Sequence, residues 1–399
     1  TVMDLIDGRT DELVALTQDL IRFPTINPPG EAYRPCAEYI GERLKKRGFT
    51  VEYVRGEGSP GDSDQYPRTN VIARWTGSEP GPCVHFNSHI DVVEVGAGWT
   101  VDPFAGVVKD GKVYGRGACD MKGFIAGSLA LVPEFLAMPR KKPIHLAFSY
   151  DEEVGCAGAP YMLADLHDRG IRPEGCVVGE PTGMQVVVAH KGINLFRCKV
   201  HGKAAHSSLT PRGCNAIEYA ARLICRIRDL ADSFKAQGPY DQFYDVPFST
   251  MTTNQIQGGI AVNTIPESCE FSYEFRNLPG MQPDAIQAEV EKYVREELLP
   301  RMKAEFEGAS IEIETGAAAP ALEASEEAAI TQLVRALTED RATRKVAYGT
   351  EAGLFQGIGI PTVVCGPGHI EQAHKPDEYV ALDQLASCET FLRRLGQSL

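Results

Sequence analysis

The feature that most limits how this chain can fold is a series of short apolar runs separated by helical patterns. Apolar runs lie at Asn70–Trp75, Cys83–Ile90, Ile144–Tyr150 and Cys176–Val178. Helical patterns lie around them, at Asp11–Phe23, Pro35–Gly48, Lys122–Leu136 and Gly158–Asp168. The first puts Leu13, Leu16 and Leu20 at helical spacing behind an acidic turn, and the second closes on a basic turn and a glycine. Strands alternating with helices specify an α/β domain on a largely parallel sheet. In such sheets ligands bind beyond the carboxyl ends of the strands, which is where polar residues need inspection.

The pattern changes near residue 186. Gln185–His201 reads as strand, Gly213–Lys235 as helix, and Phe248–Gln257 and Glu267–Asn277 as strands. Pro283–Arg301 then reads as helix and Ser310–Glu314 as strand. That β-α-β-β-α-β order is the split βαβ arrangement. The economical reading is a discontinuous domain of residues 1–185 and 304–399, interrupted by an inserted α+β domain of residues 186–303. The last strand, Ser310–Glu314, fits either side of that boundary.

Charge follows the same division. The chain has 40 Lys plus Arg against 54 Asp plus Glu, a net −14. Residues 186–303 hold 14 basic and 13 acidic residues, so the acidity belongs to the α/β part. A net negative chain without clustered cations is a poor partner for nucleic acid and suits a cationic substrate or a metal. No apolar run reaches the roughly 18–20 residues that a membrane span needs. Thr1–Asp7 has neither a basic nor a long apolar region, so no secretory signal is expected there. The eleven cysteines are odd in number and include no C-x-x-C pair, which reads as reduced, buried thiols of a cytoplasmic protein.

The chemistry sits at the ends of the apolar runs. His89-Ile90-Asp91 closes Cys83–Ile90, and residues two apart on a strand share a face, so Asp91 could accept the second ring N–H of His89. A metal-free His–Asp hydrogen bond is the plain alternative. His85 shares that parity but lies deeper, as core. Gly115–Gly123 is a glycine-rich turn that delivers Asp120 to a helix start, where an ordinary N-cap would serve equally. Asp151-Glu152-Glu153 follows Ile144–Tyr150, Glu180 follows Cys176–Val178, and His374 lies in a loop after Val363–Cys365. Each alone fits a cap or solvated turn. Together, at successive strand ends, they call for a cation, because clustered carboxylates repel one another. Imidazole with carboxylate suits zinc with open positions, and cobalt or manganese as substitutes. The donors are too many for one catalytic ion and about right for two sharing a carboxylate.

His89-x-Asp91, Arg116-Gly117-x-x-Asp120-Met121-Lys122-Gly123, Glu152-Glu153, Gly179-Glu180-Pro181-Thr182 and His374 resemble the dizinc signature of the M20 metallopeptidase family. The resemblance covers essentially the whole chain. It implies a zinc-peptidase-like catalytic domain with a mostly parallel mixed sheet, and a ferredoxin-like inserted lid that forms a homodimer. It implies two Zn2+, one on His89, Asp120 and Glu180 and the other on Asp120, Glu153 and His374. Asp91 would orient His89, and Glu152 would act as general base. Gly202–Ser208 is similar to the family's lid histidine motif, which makes His206 an oxyanion donor; an exposed loop histidine is the alternative. Asn263 and Arg276 look like contacts to a substrate carboxylate, although Arg276 could instead pair with Glu274 or Glu270. Gly368 could let backbone approach the substrate, and turn geometry would explain it equally.

Gly349-Thr350-Glu351-Ala352, Gly366-Pro367-Gly368 and Gln372–Tyr379 are most similar to the acetylornithine deacetylase branch. The expected reaction is therefore hydrolysis of a small N-acyl amino acid, foremost N2-acetylornithine. Succinyl-diaminopimelate, other N-acyl or N-carbamoyl amino acids and dipeptides are the alternatives, with a non-catalytic ligand-binding paralogue more remote. Glu351 is expected to face the cationic side chain of the substrate.

Overall fold

The computed structural model describes residues 9–75, 83–138 and 142–399. The Thr1–Asp7 segment read above for a secretory signal lies outside them. The chain divides into two compact units. One comprises Thr1–Ala189, Glu323–Arg344 and Thr350–Leu399, and the other His190–Leu322 and Lys345–Gly349.

In the first unit, strands β1 (Thr50–Arg55), β2 (Thr69–Trp75), β3 (Val84–His89), β4 (Ile144–Ser149) and β5 (Gly175–Val178) join a late strand, Thr362–Val364. They form a six-stranded sheet in the order β1-β2-β4-β3-β5 and then Thr362–Val364. The last four are parallel to one another, whereas β2 pairs antiparallel with both β1 and β4. Every residue of β3, β4 and β5 is buried, which is why these strands read as continuous apolar runs without alternation. β1, Thr-Val-Glu-Tyr-Val-Arg, is the edge strand and was not visible as an apolar run, because its residues are half-buried or exposed.

Helix α1 (Arg9–Ile21) presents Leu13, Leu16 and Leu20 to the core as their spacing requires. Helix α2 (Tyr33–Lys46) packs on β1 and β2. Helix α3 (Gly123–Ala137) is buried along eleven of its fifteen residues. Each large apolar side chain so buried contributes roughly 1.5–3 kcal/mol. A side chain at Gly179 would enter the Phe124 ring of α3, so only glycine lets the end of β5 pack there and present Glu180.

The second unit is a four-stranded antiparallel sheet of β6 (Ile193–His201), β7 (Thr250–Gly258), β8 (Ser268–Arg276) and β9 (Ser310–Ala319), in the order β7-β8-β6-β9. Helix α4 (Ala216–Gln237) turns Ala220, Leu223, Ile227 and Leu230 inward, onto a core built around Phe271, Tyr273 and Phe275. Asn215 caps it by accepting from the Glu218 N–H at 3.1 Å. This is the split βαβ order. The unit runs to Leu322 rather than to residue 303, because β9 pairs with β6 from Ser310 opposite His201 to Ala319 opposite Ile193.

All eleven cysteines are free and ten are buried. Among the described residues, no helix is long and apolar enough to cross a membrane.

Candidate metal centre

Parallel strands β4, β3 and β5 are neighbours, so their carboxyl ends lie side by side. β3 ends on His89, β4 leads into Asp151-Glu152-Glu153 and β5 into Glu180. His89 Nε2 stands 2.9 Å from Asp120 Oδ1, 3.1 Å from Glu180 Oε1 and 3.5 Å from Glu152 Oε2. His374, reached by the loop after Thr362–Val364, has its Nε2 3.0 Å from Asp120 Oδ2 and 3.1 Å from Glu153 Oε1. The two imidazoles thus meet opposite oxygens of one carboxylate. Donor atoms of His89, Glu152 and Glu180, and of His89, Asp120 and Glu153, form two sets whose members lie within 4.8 Å of one another.

The electrostatics fit a cation. Burial pushes the carboxyls of Glu152 and Glu153 well above the usual range, and their acidic neighbours add to it. Burial raises Glu180 to about 7 against the pull of His89. For His89 burial opposes protonation, but Glu180 and Glu152 outweigh it and hold the ring well above its ordinary value. Asp120 is opposed by burial yet kept well below the carboxylate range by bonds from His374 and His89. A metal ion would relieve the repulsion among these four clustered carboxylates. Nitrogen and oxygen donors, three to each position, match zinc, cobalt or manganese with coordination sites left open.

A pH dependence follows. An unfolded glutamate releases its proton near 4.5, whereas Glu180 in the folded, metal-free chain holds it to about 7. Across that window the folded state binds more protons, so stability falls as pH rises. The raised His89 acts in the same direction above 6.5. Asp120, lowered from 3.8, is ionised in both states and adds no slope. The Tm gain on adding zinc to metal-free protein is expected to be larger at about pH 8 than at about pH 6. Thermal melts with and without zinc check this, and an equal or smaller gain at the higher pH would contradict it.

The surroundings hold the donors in place, partly by residues that the sequence reading assigned differently. Asp91 does not accept the second ring N–H of His89 primarily through its carboxylate. His89 Nδ1 lies 3.0 Å from the backbone oxygen of Asp91 and 3.5 Å from its Oδ1. The Asp91 carboxylate instead accepts from the backbone N–H groups of Glu152 at 3.1 Å and Glu153 at 2.9 Å, fixing that turn. Asp151 points away from the centre, accepting from Asn27 at 2.8 Å and Tyr33 at 2.7 Å, with Arg68 at 3.5 Å.

Glu378, which sequence reasoning passed over, is buried. It accepts from the backbone N–H groups of Cys119 and Asp120 at 3.1 and 3.2 Å, and pairs with buried Arg116 at 2.8 Å. An arginine inside a glycine-rich turn, with no solvent role, was the one signal that could have pointed to it.

Glu351 does not face a substrate. It is 1% exposed, and its two oxygens accept from Asn87 Nδ2 and Ser149 Oγ, each at 2.5 Å. Burial lifts its carboxyl to about 7, against the bond from Ser149. Gly368, at φ 89°, is a buried turn residue whose N–H donates to Gln384 at 3.1 Å and whose carbonyl accepts from Gly183 at 2.7 Å. His85 is core, its ring centroid 5.1 Å from that of Phe355.

The second unit brings two of the expected residues together. The short strands Ala205–His206 and Thr264–Ile265 pair with His206 opposite Thr264, and the Ser207 N–H donates to the Asn263 carbonyl at 2.9 Å. Both side chains are exposed, with His206 Nδ1 2.8 Å from Ser208 Oγ. Arg276 pairs with Glu274 at 3.1 Å, and Glu270 with Arg197.

Two imidazoles meeting opposite oxygens of one carboxylate, at the strand ends of an α/β sheet, form an arrangement that could hold a pair of metal ions. The profile of the peptidase family M20/M25/M40 matches residues 85–398, and the chain belongs to that family of hydrolases. It is 35% identical over 364 residues to an acetylornithine deacetylase of Myxococcus xanthus, covering 90% of each chain. It is 33% identical over 372 residues to one of Erwinia tasmaniensis, covering 92% of each. Among solved structures, an M20 family metallo-carboxypeptidase from Sulfolobus solfataricus superimposes with a TM-score of 0.75 at 18% identity, over 98% of this chain and 100% of that one. A dinuclear metal-binding M20 peptidase from Bacillus subtilis does so with 0.67 at 18%, over 98% of each.

Proposed function

We propose that the protein hydrolyses the amide of an N-acyl amino acid, with N2-acetylornithine its foremost substrate and ornithine and acetate the products. The observation that carries the reading is the placement of His89 and His374 on opposite oxygens of Asp120, with the Glu152 carboxylate beside them. The names of relatives at 33–35% identity support the choice of acyl group and amino acid.

His89, Asp120 and Glu180 would hold one zinc ion and Asp120, Glu153 and His374 the other, with cobalt or manganese as substitutes. When bound, such ions supply Lewis acidity at the amide carbonyl and lower the pKa of an attacking water. Glu152 takes the proton of that water and passes it to the departing amine. Its raised basicity, set by burial and by its acidic neighbours, suits a group that must hold a proton near neutral pH. Asp91 keeps the Glu152 main chain in place, and its backbone oxygen takes the His89 Nδ1–H so that Nε2 carries a lone pair. By resemblance, His206 donates to the developing oxyanion, and Arg276 with Asn263 takes the α-carboxylate through a guanidinium fork. A homodimer through the inserted unit and a cytoplasmic location belong to the same proposal.

A substrate panel on zinc-loaded protein tests it. N2-acetylornithine is expected to give the highest kcat/KM, about tenfold or more above acetylmethionine, as a recognised polar side chain allows. A maximum on succinyl-diaminopimelate or a dipeptide would overturn the substrate assignment. No turnover of any of these would favour a ligand-binding paralogue.

A further inference from the structure

Glu351 belongs to a buried polar chain directly beneath the metal donors. His85 Nε2 lies 3.4 Å from Asn87 Oδ1, which orients the Asn87 amide so that its Nδ2 meets Glu351. On the other side Glu351 meets the Ser149 hydroxyl. Asn87 precedes His89 by two residues on β3 and so shares its face. Ser149 is the residue of β4 directly opposite His89 in the parallel register, and it precedes the Glu152-Glu153 turn. The main-chain oxygen of Asn87 also accepts from the Gly179 N–H at 3.2 Å, next to Glu180. One carboxylate, brought from a segment 264 residues from Asn87, therefore spans the two strands that deliver His89 and the Glu152-Glu153 turn.

We propose that Glu351 is a positioning residue, whose two hydrogen bonds brace β3 against β4 and so set the spacing between His89 and the Glu152-Glu153 turn. This rests on the two-metal reading above. The role needs a hydrogen-bonding group at each end rather than a charge. Glutamine can supply it, because its amide oxygen accepts from Asn87 while its NH2 donates to the hydroxyl oxygen of Ser149. Alanine cannot: it leaves the buried Asn87 amide N–H without its Glu351 partner and the Ser149 hydroxyl with the Ser88 carbonyl at 3.2 Å in place of the brace.

Cobalt titration of metal-free protein, against a competing chelator and followed by the visible absorption of bound cobalt, tests the brace. Glu351→Gln is expected to keep the wild-type spectrum and affinity within about threefold. Glu351→Ala is expected to weaken binding about tenfold, the lower end for groups that support metal ligands, and to change the spectrum while the far-UV circular dichroism is unchanged. Ser149→Ala removes a single hydroxyl and keeps the test open should Glu351→Ala fail to fold; a loss of about threefold or more is expected. Wild-type binding and spectrum in both Glu351→Ala and Ser149→Ala would overturn the inference. So would Glu351→Gln binding as poorly as Glu351→Ala, which would assign the effect to charge. Failure of the wild-type protein to bind two cobalt ions would instead overturn the two-metal reading itself.

Discussion

Glu152→Ala is expected to lower kcat by about 10³–10⁴-fold while the protein still binds two metal ions, the upper range for a positioned acid–base group. The separation of the two effects follows from the geometry. Glu152 Oε2 lies 3.5 Å from His89 Nε2, farther than either Asp120 or Glu180, so the imidazole keeps its two closest carboxylates when Glu152 is lost. Removing it also relieves one of several repulsions among buried carboxylates, since Glu180, Glu153 and Asp120 all raise its proton affinity. KM should change little, because the group acts on the proton and not on substrate recognition. Steady-state kinetics on N2-acetylornithine with metal analysis of the same sample check this. Turnover within tenfold of wild type would remove Glu152 from the mechanism.

Asp120→Asn is expected to be at least as severe in rate, about 10³-fold or more, and to differ in taking metal with it. Asp120 alone among the donors places an oxygen against each imidazole. An amide at that position offers one oxygen and one NH2, so whichever way it turns, one side of the centre faces a donor where it needs an acceptor. The variant should retain at most one ion per chain after reconstitution. The fold should survive, because the turn itself is held by Glu378 through the backbone N–H groups of Cys119 and Asp120. Two tightly bound ions in Asp120→Asn would contradict the shared-carboxylate geometry.

What could be read from the sequence was local. A buried strand followed at once by a carboxylate or imidazole is a pattern within ten residues, and it located His89, Glu152, Glu153 and Glu180. The β-α-β-β-α-β order of the inserted unit was legible for the same reason. What escaped was long-range. Glu351 stood in a loop with nothing nearby to mark it as buried, and its partners Asn87 and Ser149 lie more than 200 residues earlier. Arg116 and Glu378 are similarly separated by 262 residues. For the carboxylate of Asp91 the nearer partner in sequence is the histidine two residues away, whereas folding presents it with the backbone N–H groups of Glu152 and Glu153, from the turn after β4. The end of the inserted unit is open in the sequence because Ser310–Glu314 is short as a pattern and fits either side, and its pairing with β6 places it in the second unit.

The acidity of the first unit also gains an explanation beyond a general field for cations. On the two-metal proposal part of it would be ligand, as Asp120, Glu153 and Glu180. Another part is bracing, since Asp91, Asp151, Glu351 and Glu378 are each buried and engaged by hydrogen bonds around the donors.

The central claim is tested most directly by adding zinc back to the metal-free protein and following the rate of N2-acetylornithine hydrolysis. The rate is expected to climb to a plateau at two equivalents per chain. A plateau at one equivalent, or no hydrolysis at any zinc level, would contradict it.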